Sequence, residues 1–212
     1  MSEREFDVIV FGASGYTGKL VAEYMGKEYG NDESIRWAIA GRNKDKLSSV
    51  KKDLNLNERV SIIEVDSTNK DSLDSMTSSA KCILTTVGPY QLYGSSLVQS
   101  CSENGTDYVD LTGEPGWMYE MINAHQDTAK KSGARIVFSC GFDSIPFDLG
   151  VYFVQQAAQE KYGKPAKHVR GRVKAMNGEF SGGTIASLGA TMATLKEKPE
   201  LIQVLSLSLI HI

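Results

Sequence analysis

The sequence predicts an α/β protein: a doubly wound parallel sheet over residues 1–150, followed by the start of a second, mixed α/β domain at 151–206. Three observations carry that expectation. Six short apolar runs alternate with helix-like segments between residues 6 and 139, the pattern of repeated strand-crossover-strand units. The first run, Val8-Ile9-Val10-Phe11, is continuously β-branched or aromatic, as in a strand buried on both faces. It ends abruptly in Gly12-Ala13-Ser14-Gly15-Tyr16-Thr17-Gly18, three glycines spaced three apart at the head of a helix.

In this strand-turn-helix setting each glycine answers a need that a Cβ would obstruct. Gly12 suits a tight turn, Gly15 a close approach of the backbone to a pyrophosphate, and Gly18 a close contact between helix and strand. The free N–H groups opening the next helix, 19–29, and the positive end of its dipole would hold the phosphate charge. Ser14, Tyr16 and Thr17 lie between the glycines and count with them as cofactor-binding. The spacing is Gly-x-x-Gly-x-x-Gly rather than Gly-x-Gly-x-x-Gly, so the setting, not the glycines alone, carries the reading. The alternative is a tight turn without a ligand.

A chain of 212 residues holds one domain of ordinary size and part of another. Its net charge is −3 and no basic stripe appears, which argues against nucleic acid as a partner. Cys82, Cys101 and Cys140 are odd in number and lack Cys-x-x-Cys spacing, which suits free thiols in a reducing compartment. There is no run of about 18 apolar residues. Residues 1–7 are charged, unlike a secretory signal. The chain thus reads as intracellular and soluble.

Residues 35–41 form the expected second strand, and Arg42 stands just past its end. At that place a carboxylate accepts the ribose 2′-hydroxyl of NAD, whereas an arginine receives the 2′-phosphate of NADP. Asp32 and Glu33 precede the strand and belong to its wrong end, so Arg42 points to NADP; the plainer reading is an arginine that opens the helix 44–54 and faces water. The third strand is 61–66. Asp66 at its end fits two roles, a hydrogen bond to the adenine amino group or a cap on the helix 69–77. The fourth strand, 81–87, runs into Gly88-Pro89-Tyr90, and the switch-point rule places Val87, Gly88, Pro89 and Tyr90 against the nicotinamide half of the cofactor. Tyr90 could equally close off the core. A helix over 95–104 ended by Gly105, a strand over 108–111, a helix over 117–132 ended by Gly133 and a strand over 135–139 complete the alternation. Ser14, Tyr90, Glu114 and Asp143 fall on the shared rim.

The stretch 140–150 is dense in turn residues and opens a helix over 149–159. It is a candidate for substrate contact, with Asp143 or Ser144 read as capping that helix. Residues 168–175 alternate as a strand, and Ser181-Gly182-Gly183-Thr184 begins a helix reaching about residue 194. The few residues after Gly150 suggest a fragment whose uncovered apolar surface would drive association. The last six residues, 207–212, read like a translated sequencing adapter, a non-native tail.

The ordered set Gly12-Ala13-Ser14-Gly15-Tyr16-Thr17-Gly18, Ala40-Gly41-Arg42, Val87-Gly88-Pro89-Tyr90, Tyr108 to Glu114, Gly141 to Gly150 and Ser181-Gly182-Gly183-Thr184 resembles the saccharopine dehydrogenase-like oxidoreductases. That family includes trans-acting enoyl reductases of mycobacterial lipid synthesis and animal proteins associated with lipid droplets. The resemblance implies an NADP-type Rossmann domain followed by a mixed α/β domain that serves the substrate or dimerisation. It also implies reduction of a carbonyl, imine or enoyl group, a small-molecule or lipid substrate, a membrane or lipid-droplet surface, and a homodimer. The alternative function is a non-catalytic NADP-binding scaffold at such a surface.

No tyrosine has a lysine four residues on, which argues against short-chain dehydrogenases. Cys140 is the sole thiol on the rim, and a structural thiol is the simpler reading. His125 and His168 read as solvent-exposed, and no metal-ligand spacing occurs. No proton donor is named.

Overall fold

A computed structural model describes residues 4–178 and 181–206, so the proposed tail at 207–212 lies outside the described residues. Six strands form one sheet, all pairs parallel, in the order β3-β2-β1-β4-β5-β6. They are β1 (Phe6–Phe11), β2 (Trp37–Gly41), β3 (Ser61–Glu64), β4 (Ala80–Thr85), β5 (Asp107–Val109) and β6 (Ile136–Val137). Between and after them run α1 (Tyr16–Tyr29), α2 (Lys44–Asp53), α3 (Lys70–Ser79), α4 (Tyr90–Tyr93), α5 (Ser95–Asn104), α6 (Pro115–Ser132), α7 (Ile145–Tyr162), α8 (Gly182–Glu197) and α9 (Leu201–Ser206). The doubly wound sheet expected from the sequence is present.

Each face of the sheet has its own core. Val10, Trp37 and Ile39 pack with Ala22 and Met25 of α1 and Leu47 of α2. Ile9, Phe11 and Ile83 pack with Leu73 of α3, Leu97 of α5 and Trp117 of α6 on the other face. Because β1 is covered on both sides, its interior run has no polar alternation. β1 lies between β2 and β4, with Val10 beside Ile39 on one flank and Leu84 on the other. This is where strand order reverses, and it is beyond the carboxyl ends at such a point that open α/β sheets bind their ligands.

Asn43 caps α2 by accepting the Lys46 N–H, and Asn69 caps α3 by accepting that of Ser72. The N-cap of α1 is Gly15, which has no side chain to offer.

Three expectations are corrected. Residues 168–175 form no strand; all but Val169 are exposed and nothing pairs with them among the described residues. Alternation makes a strand only beside a partner that bonds its backbone. The last strand is two residues rather than five, because Ser139 turns out of the sheet with φ 59°. The helix expected at 149–159 begins earlier, at Ile145, with Pro146 in its first turn, where proline's missing N–H costs nothing.

α9 packs on α6, burying Leu201 against Gly116. α7 and α8 bury no residue, and Leu149, Tyr152, Phe153, Ile185, Leu188 and Met192 are exposed. Apolar surface of this extent promotes association. The 212-residue chain is expected to self-associate at tens of micromolar; a monodisperse monomer in light scattering would contradict this.

Candidate functional site

The turn after β1 is built from backbone. The Gly12 N–H donates to Ala40 O (2.9 Å) and the Gly15 N–H to Gly12 O (2.9 Å), which folds the chain back on itself. Gly12 has φ 92°, and a Cβ there would stand 2.8 Å from both Thr86 Oγ1 and Val87 Cγ2. A Cβ on Gly18 would stand 2.1 Å from Gly12 O, so the helix can cross the turn only without one. Gly15 is exposed, and a Cβ there would meet only Gly12 O, at 3.3 Å. No side chain caps α1, so its leading N–H groups, just past the carboxyl end of β1, are unclaimed by a cap. Ser14 and Thr17 are half-buried at the turn, and Tyr16 is 74% exposed.

Arg42 and Asp66 stand exposed past β2 and β3. The carboxyl of Asp66 is held below its ordinary value, first by the Thr68 N–H and hydroxyl that it accepts, then by the Arg42 charge. The capping role considered for Asp66 belongs to Asn69; the adenine role is compatible with its position. Glu33 lines a hollow with Phe6, Arg36 and Trp37 at the opposite, amino edge of the sheet, where Asp32 also lies.

Beyond β4, the Thr86 N–H donates to Phe11 O, so Val87, Gly88 and Pro89 emerge beside the glycine turn. Of the two roles considered for Tyr90, its side chain takes the core one. The ring is 5% exposed and lies 5.6 Å from the Trp117 ring. Its hydroxyl donates to Thr85 O and accepts the Leu111 N–H, and burial pushes its pKa up.

Glu114, expected on the shared rim, is 2% exposed. Its carboxylate accepts the N–H of Tyr90 (3.0 Å) and of Gln91 (2.8 Å). Asp110 is also buried, accepting the N–H of Thr112 and of Ser139 on one oxygen and the Tyr108 hydroxyl on the other. Burial pushes its carboxyl up, and the three donors partly offset this. Sequence reasoning missed this clamp, although a carboxylate in the apolar run Tyr108 to Leu111 was a signal.

Asp143 is exposed and the Ser144 side chain makes no cap bond; α7 starts instead on backbone bonds to Gly141 O. The capping role expected of these two residues is therefore absent. The Cys140 thiol is half-buried and pushed up, by burial and then by Asp110, the reverse of what a nucleophile needs. Burial also raises Cys82, to about 11. His125 is not solvent-exposed as expected: it is half-buried with Val98, Met121, Ile136 and Phe138 in a groove of about 240 Å³, and burial lowers its pKa. Among the described residues no group of three or more His, Cys, Asp or Glu could hold a metal, and no helix is long and apolar enough to cross a membrane.

Residues 8–137 match the family model of the saccharopine dehydrogenase NADP-binding domain. The chain is 40% identical over 198 residues to a Mycobacterium tuberculosis protein provisionally named a trans-acting enoyl reductase, covering 93% of this chain and 46% of that one. It is 35% identical over 206 residues to a trans-acting enoyl reductase of Mycobacterium leprae, covering 96% of this chain and 49% of that one. It therefore spans about half the length of the curated relatives it matches. Among solved structures, apo saccharopine dehydrogenase (L-Glu forming) from Saccharomyces cerevisiae superposes with a TM-score of 0.57 at 19% identity, over 73% of this chain and 32% of that one, a likeness of fold. With the turn, the strand order and this match over more than half its length, the chain belongs to the saccharopine dehydrogenase NADP-binding-domain family, whose cofactor is NADP.

Proposed function

We propose that this chain is the NADP-binding part of a reductase that delivers hydride from NADPH to the activated carbon-carbon double bond of an acyl-lipid substrate. The observation that carries the reading is the uncapped N-terminus of α1 behind Gly12, Gly15 and Gly18, with Arg42 on the same edge of the sheet. It occurs in a chain 35% identical to an enoyl reductase.

The residues present fit the cofactor. The N–H groups of Tyr16 and Thr17 and the bare Gly15 would receive the pyrophosphate, with Ser14 beside them. Arg42 would take the 2′-phosphate, Asp66 the adenine side, and Val87, Gly88, Pro89 and the backbone of Tyr90 the nicotinamide side. When bound, NADPH supplies the hydride; the chain's own residues bind and orient it. Leu92, Phe142 and Leu149 stand exposed on or beside the loops of the same edge, which supports an apolar substrate. Residues 151–206 are then the start of the substrate-side domain.

Arg42→Ala should weaken NADPH binding roughly ten- to a hundredfold, the value of one charge-assisted contact, and leave NADH binding unchanged. Fluorescence titration checks this, and a variant with undiminished preference for NADPH would remove Arg42 from the role. The reaction is tested with the full-length protein, NADPH and a panel of α,β-unsaturated acyl thioesters and lipids. Saturated product with matching loss of NADPH is expected, whereas bound but unreacted NADPH across the panel would overturn the enzyme reading.

A further inference from the structure

The loop that would receive the nicotinamide is tied on two sides by groups outside the glycine turn. From below, Glu114 holds it: the buried carboxylate accepts both leading N–H groups of α4, those of Tyr90 and Gln91, while its own N–H donates to Thr112 Oγ1 (3.2 Å). From above, the Gln91 side chain reaches α8, where Nε2 donates to Thr191 Oγ1 (3.3 Å) and Oε1 accepts the Thr194 hydroxyl (2.5 Å). The two threonines are one helical turn apart, so both ends of the amide are engaged by one face of α8. Ser187 lies a further turn along it, and its Oγ would stand 3.8 Å from a Cβ on Gly88. α8 thus lies directly over the loop, with its hydroxyl-bearing face inward and Ile185, Leu188 and Met192 outward.

A buried carboxylate is costly unless its oxygens are claimed, and here two backbone donors of one loop claim them. Main-chain N–H groups held in this way fix the loop's path, not merely the position of a side chain.

Resting on the cofactor reading above, we infer that Glu114 and Gln91 are positioning residues that shape the Val87 to Gln91 loop for the nicotinamide half of NADPH and couple it to α8. Neither touches the adenosine half. Their loss therefore falls on one end of the cofactor.

The test compares Glu114→Gln and Gln91→Ala with the unmodified chain, titrated with NADPH and with 2′-phospho-ADP-ribose, which lacks the nicotinamide. Glu114→Gln replaces one acceptor oxygen by an amide nitrogen, which cannot accept, and should weaken NADPH binding by about tenfold while 2′-phospho-ADP-ribose binds as before. Gln91→Ala should show the same selectivity with a smaller loss, and because Gln91 is half-buried it carries the test if Glu114→Gln does not fold. Unchanged NADPH affinity in a folded variant, or equal loss of both ligands as from a general structural role, overturns the inference. Failure of the unmodified chain to bind 2′-phospho-ADP-ribose would instead overturn the cofactor reading, and this inference with it.

Discussion

Gly18→Ala is expected to destabilise the fold by about 3 kcal/mol and to abolish NADPH binding, although it adds a single methyl group. That methyl would stand 2.1 Å from the carbonyl oxygen of Gly12, 2.7 Å from its carbon and 2.8 Å from Ala13 Cα. All three are backbone atoms of a turn held by hydrogen bonds to Ala40 O and within itself, so no side chain can rotate away. Relief requires α1 to move off the sheet or the turn to open, and either displaces the N–H groups that would receive the phosphate in the proposed function. Gly150→Ala is the matched control: a Cβ there meets nothing within 4 Å, and the site lies inside α7. Alanine should stabilise that helix by up to about 1 kcal/mol. Urea unfolding of both variants reads the contrast, and a Gly18→Ala protein as stable as Gly150→Ala would contradict the packing described for the turn.

Asp110→Ala should cost about 3–5 kcal/mol, because it strands three donors at once. The Tyr108 hydroxyl and the N–H groups of Thr112 and Ser139 all end on this carboxylate. Asp110→Asn should be far milder, below about 1 kcal/mol. The amide oxygen can keep both N–H groups, and the Tyr108 hydroxyl can rotate to accept from the amide nitrogen. The pH dependence follows from the upward shift of this carboxyl. The folded state binds the proton more readily than the unfolded one, so Asp110 penalises the fold above its folded pKa, and the penalty is relieved as pH falls through it. Wild type should therefore gain on Asp110→Asn as acidity rises. A difference that stays constant with pH, or moves the other way, would contradict a buried ionisable clamp.

What the sequence made legible was local. β1, the glycines and the head of α1 lie within Phe6 to Gly18, and the demands of that turn on residue type are strict. The position of Arg42 was legible by the same logic, since it immediately follows a recognisable strand. The buried carboxylates were not: Glu114 meets its donors 24 and 23 residues away, and Asp110 meets Ser139 29 residues away. Nothing within a few residues of either announces those partners. Tyr90 could be placed only by the Trp117 ring and the Leu111 N–H that enclose it. Residues 168–175 carry a strand's alternation without a strand's partner. His125 looked polar by its helix face, and it is the edge of the sheet, with Ile136 and Phe138, that covers it.

The measurement that bears most directly on the account is a fluorescence titration of the purified chain with NADPH and with NADH under one buffer and salt condition. A charge-assisted contact to the 2′-phosphate predicts NADPH binding tighter by about tenfold or more. Equal affinity for the two, or preference for NADH, would contradict the assignment of the glycine turn and Arg42 to NADP.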